Sequence, residues 1–137
     1  MSLVTGLARY IGANVVGLDW SLADGGNVFE DHQPADPDLS VTVYSTGGPE
    51  PQLAHTSNEQ RAQLVFRAEP EAATGATDLW WAVFHVIHGL RRVELPDGTK
   101  LAWLIVVNGA PVSMGTDENG RMEFSMNVRA EVIQEET

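Results

Sequence analysis

The sequence predicts an α+β fold, a mostly antiparallel β-sheet with two helices packed on one face, and three observations lead there. Two stretches carry the apolar spacing of a helix; segments with a period of two lie between and after them; and neither an internal repeat nor a βαβαβ alternation is present.

The first helical period runs from Ser2 to about Ala13. Leu3, Leu7, Tyr10 and Ile11 share one face there, and Ser2 is placed to cap the N-terminus. From Asn14 to Asp38 the chain is rich in Gly, Asp and Pro, with Val28-Phe29 as a short edge strand. Pro34 and Pro37 make His32 to Asp38 a loop, because each disfavours helix in the residue before it. Leu39 to Ser45 alternates as a strand and ends at Thr46-Gly47-Gly48-Pro49-Glu50-Pro51. The polar stretch from there to Arg61 has no period, which predicts a flexible contact arm over about 46–61. Strand character resumes at Gln63 to Ala68.

The second helix is predicted from about Thr77 to His88, stopped by Gly89. At 100° per residue Leu79, Trp80, Val83, Val86, Ile87 and Leu90 form its core face, whereas Trp81, His85 and His88 fall opposite. An indole on that side must lie under a loop or meet another subunit. Arg92 to Leu95 and Lys100 to Val107 read as a hairpin turned at Asp97-Gly98. A short strand after Pro111 leads to a second turn, Asp117 to Gly120. The strongest alternation follows, with Met122, Phe124, Met126, Val128, Ala130 and Val132 on one face. Gln134 to Thr137 reads as a frayed tail.

Length and composition bound the function. At 137 residues with 43% apolar content, the chain predicts a single domain spanning 1–137. It has no Cys, which excludes disulfides, thiolate metal sites and cysteine nucleophiles. Met1 to Ala13 does not read as a signal peptide, and no run approaches the roughly 20 apolar residues of a membrane span, so no membrane partner is expected. The net charge is −11, from 19 acids against 8 scattered bases, and sequence-specific nucleic-acid binding is not expected from it.

No catalytic residues and no cofactor are predicted. The chain lacks a Gly-x-Ser-x-Gly elbow, and nothing pairs its four histidines with a nucleophile. Two groups of residues suggest a metal site, and neither is complete. His85 and His88 are spaced to share an ion on one helical turn, but they lie on the polar face; the adjacent Glu30, Asp31 and His32 cannot all point one way. Asp117 to Gly120 lacks the ligand series of a calcium loop, and Gly47-Gly48 is followed by prolines with no lysine near, unlike a phosphate loop. The residues instead suggest a subunit that assembles. Its candidate interface comprises Trp81, His85 and His88 together with Thr46, Gly47, Gly48, Pro49, Glu50, Pro51 and Arg61.

Three segments, in order, resemble the tail terminator (minor capsid) proteins of long-tailed bacteriophages. The first joins Val28-Phe29 and Pro34-Ala-Asp-Pro-Asp38 to Val43-Tyr-Ser-Thr-Gly-Gly-Pro49. The second is Leu64-Val-Phe-Arg67 with the helix end Ile87-His-Gly-Leu90. The third is Met114-Gly-Thr-Asp117 with Asn119-Gly-Arg-Met-Glu-Phe-Ser-Met-Asn127. The resemblance implies a structural, non-enzymatic virion protein that forms a ring, typically a hexamer, at the head-proximal end of the tail, after residence in the host cytoplasm. Its implied partners are other copies of itself, the tail-tube protein and a head-completion or stopper protein. A lumen with an acidic wall would let DNA pass by like-charge repulsion. Another head–tail connector or a tail-tube subunit is the alternative in the same class; a small metal-dependent or ligand-binding enzyme using the His85/His88 face is the alternative of another class.

Overall fold

Leu3–Asn14 forms helix α1, because Ser2 accepts the Thr5 amide at its hydroxyl and the apolar face of Leu3, Leu7, Ala8 and Ile11 is buried. The computed structural model describes residues 2–20, 25–50 and 57–133; Pro51 of the expected arm and the expected frayed tail lie outside them. After α1 come β1 (Val28–Glu30), β2 (Ser40–Gly47) and β3 (Ser57–Arg67), then α2 (Ala73–Ile87), β4 (Arg91–Glu94), β5 (Lys100–Val106), β6 (Val112–Thr116) and β7 (Met122–Ile133).

These seven strands form one sheet in the order β1-β2-β3-β7-β5-β4, with β6 on β7, and only the β1–β2 pair is parallel. β3 pairs with β7 along its whole length. The opposite side of β7 is shared by β5, against its C-terminal half, and β6, against its N-terminal half. β5 and β6 thus act as one long hairpin arm against β7, interrupted at Asn108 to Pro111.

Register decides which side chains reach the core, since residues paired across strands share a face. The sets Val41, Phe66 and Phe124, Val43, Leu64 and Met126, and Ala62, Val128 and Val106 all lie on one face and are buried. Both helices cover it, α1 over β1, β2 and β3, and α2 over β3, β5 and β7. Leu79, Trp80, Val83 and Ile87 of α2 are buried, as the helical period predicts, and the Trp80 indole donates to the Ser125 carbonyl at 2.9 Å. The α+β prediction, with a mostly antiparallel sheet under two helices, matches this architecture.

Two boundaries differ from expectation. β3 starts at Ser57, so residues 57–61 of the expected arm are strand. The sequence hides this because the core-side positions Asn58 and Gln60 are polar; their strand conformation comes from the ladder to Val132 and Ala130. α2 starts at Ala73, ahead of Thr77; Ala72 at its N-cap makes no side-chain hydrogen bond, so no capping residue marks the start in the sequence.

The other face of the sheet is partly covered by the proline-containing loop between β1 and β2. Two buried guanidiniums hold it. Arg67 donates to the carbonyls of Pro37 at 2.6 Å and Asp38 at 3.1 Å, and Arg121 donates to the Ala35 carbonyl at 2.6 Å while its Nε meets Asp117 at 2.8 Å. Arg121→Ala strips these acceptors of their donor, and equilibrium urea unfolding should show a loss of about 2–4 kcal/mol.

At the opposite end, Asp97 ties the β4–β5 turn to α1 by accepting the Ser2 amide at 2.9 Å and the Thr99 amide at 3.0 Å. Burial raises the Asp97 carboxyl, but these hydrogen bonds outweigh it and hold it below the usual aspartate range. The depressed value means that the stabilisation is present above the unfolded pKa of about 3.9 and is lost as pH falls through the folded value. Asp97→Asn should therefore reduce stability at pH 7 and flatten its fall below about pH 4, measured by urea midpoints across pH.

Candidate functional site

The exposed side of α2 carries a column of rings whose order follows from helical spacing. Buried Trp80 stacks on Phe84 at 5.6 Å, and Phe84 stacks on His88 at 4.8 Å. Trp81 meets Trp80 edge-on at 4.8 Å and Phe84 at 5.6 Å, and His85 meets Phe84 edge-on at 5.5 Å. Trp81 is therefore fixed by the core although 38% exposed. A rigid indole of this kind is suited to contact with another protein.

His88 has a second task. Gly89 and Leu90 continue the β4 edge against Leu104, and the Val106 amide donates to His88 Nδ1 at 2.9 Å. The imidazole thus finishes a ladder that the chain no longer supplies. His88 Nδ1 is therefore occupied by the Val106 amide, and His85 is exposed one turn before it. Glu30 is similarly occupied, accepting Thr5 Oγ1 and, at 2.8 Å, Trp20 Nε1. Among the described residues no group of three or more acidic or histidine side chains is arranged to hold a metal ion.

The second predicted patch lies at the end of β2. Gly47 adopts φ 82°, and a Cβ on Gly48 would strike the Glu59 carbonyl oxygen, so both glycines are required by the backbone path. Thr46, Pro49 and Glu50 are exposed. Thr46 and Arg61 share a shallow cavity of about 570 Å³ with Val107, Asn127 and Arg129. Arg61 is tied to Glu59 at 2.8 Å, and Glu59 also accepts from Arg129. The Arg129 hydrogen bond, with Arg61 in support, holds the Glu59 carboxyl below its ordinary range. The structure thus gives two separate patches, the α2 column and the β2 end, rather than one convergent site.

Two surfaces went unmarked in the sequence. One is β6, whose five residues are all exposed, including Val112 and Met114. The other is a groove of about 770 Å³ at the β4–β5 edge, rimmed by Arg91 and Arg92 and floored by Trp103, Ile105 and Ile133. An apolar residue in a strand reads as core, so nothing in the sequence distinguishes Met114 from Met126.

No described helix is long and apolar enough to cross a membrane. The geometry leaves exposed apolar residues on α2, along β6 and at the β4–β5 groove. No curated protein matches the chain. A chain in a solved structure of the "Virion of native gene transfer agent (GTA) particle" has the same fold, with a TM-score of 0.61 at 17% identity over 97% of this chain and 99% of that one. The family model described as "Bacteriophage tail terminator protein" matches residues 10–133. The chain therefore belongs to the bacteriophage tail terminator family and is a non-enzymatic structural protein of the virion.

Proposed function

We propose that copies of this chain close into a hexameric ring that caps the tail tube at its head-proximal end and presents the surface to which the head is joined. The family match over residues 10–133 carries the reading. Its partners on this view are other copies of the chain, the tail-tube protein below and a head-completion or stopper protein above.

The geometry supports assembly in two ways. A closed ring needs different patches to meet on neighbouring copies, and the exposed surfaces on α2, at the end of β2 and along β6 are distinct from one another. Trp81, His85 and His88 form one contact surface and the segment from Thr46 to Glu50 with Arg61 another. A net charge of −11 would keep DNA from adhering as it passes through the ring.

Native mass spectrometry over a range of protein concentrations tests the ring. A discrete hexamer is expected; an open filament or a strict monomer would contradict it. Trp81→Ala should leave the fold in place by circular dichroism yet weaken association by about 2 kcal/mol per interface, roughly 30-fold in dissociation constant.

A further inference from the structure

β6 is an unusual edge. It bonds to β7 on one side only, and the segment from Val107 to Thr116 contains no charged residue. Six large apolar residues are exposed in the described molecule, and Val107, Val112 and Met114 at 46–49% are half of them. Edge strands left apolar and uncharged invite pairing with another chain, and proteins ordinarily blunt them with charge or cover them. The tip of this hairpin is acidic. Asp117 is consumed by Arg121 and by the Asn119 amide, whereas Glu118 is exposed.

The groove at the β4–β5 edge complements this hairpin in each respect. Its floor of Trp103, Ile105 and Ile133 is apolar. Arg91 and Arg92 on its rim are exposed, and neither makes an ion pair with a described residue. In a chain with only 8 bases against 19 acids, an adjacent pair of arginines with no ion-pair partner among the described residues is a surface on which an acidic tip of another copy can rest without repulsion.

Within one copy, tip and groove cannot meet. Thr116 pairs with Met122 of β7, whereas Leu101, the neighbour of Val93, pairs with Val132. That offset of ten β7 residues is about 33 Å at the rise of an antiparallel strand. A contact between them is therefore intermolecular and joins two different patches, which is the kind of contact that closes rings.

We infer that the β6–β7 hairpin of one copy seats in the β4–β5 groove of the next, with Met114 and Val112 on the Trp103 floor and Glu118 against Arg91 and Arg92. The inference rests on the ring reading and adds to it one contact between neighbouring copies.

The chain has no cysteine, so an engineered pair gives an unambiguous link. The full chain carrying both Glu118→Cys and Arg92→Cys, oxidised under assembling conditions, should give a ladder of covalent multimers ending at the ring size; each single-cysteine chain should give no more than dimers. The charge swap is the second arm. Arg92→Glu and Glu118→Arg should each weaken assembly about tenfold, and the double variant should recover to within about threefold of the original chain. If the original chain forms a ring while the double-cysteine chain gives no ladder and the swap no recovery, this contact is wrong and the ring stands. If the original chain never assembles, the ring reading fails and takes the contact with it.

Discussion

The antiparallel ladder between β3 and β7 is the constraint on which the rest of the molecule depends. Eleven residues of β3 pair without a register break with Glu123–Ile133. This places Leu64 beside Met126 and Phe66 beside Phe124, so the two strands supply the centre of the surface that both helices cover. A slip of one residue would turn those side chains to the wrong face and bring Arg67 and Glu123 into the core. The parallel β1, the β4–β5 hairpin and the β6 extension are all attached at the margins of this pair.

What extends from the ladder is held by few, directional contacts. Trp80 fixes α2 to β7 through the Ser125 carbonyl, and the ring column transmits that rigidity to Trp81. Arg67 and Arg121 clamp the proline-containing loop onto the opposite face, each donating to its backbone carbonyls. His88 closes the β5 ladder. Apart from Val16 just after α1, the large apolar residues left exposed among the described ones lie on α2, along the β6 segment and at the groove beside β4.

Much of the fold was legible because the signal is periodic burial. β7 alternates between a buried and a wetter face, and α2 presents a broad apolar face, so both are readable without knowledge of their partners. The first half of β3 was not, since Asn58 and Gln60 take their conformation from β7 rather than from their own side chains. The burial of Arg67 and Arg121 was not legible either: they donate to loop carbonyls distant in sequence, and no sequence pattern announces those. For the contact surfaces, helical spacing is enough to place Trp81 on the outside. The groove joins residues from His88 to Ile133 and exists only once the sheet is formed.

On the proposed assembly, the molecule is a frame built on the β3–β7 ladder with marginal surfaces that meet other copies. Hydrogen exchange, comparing the free chain with the chain in assembled particles, tests that division most directly. The account predicts unchanged slow exchange along β3 and β7 and new protection at β6 and Arg91 to Glu94. Unchanged exchange at β6 on assembly, or protection gained mainly within the β3–β7 ladder, would contradict it.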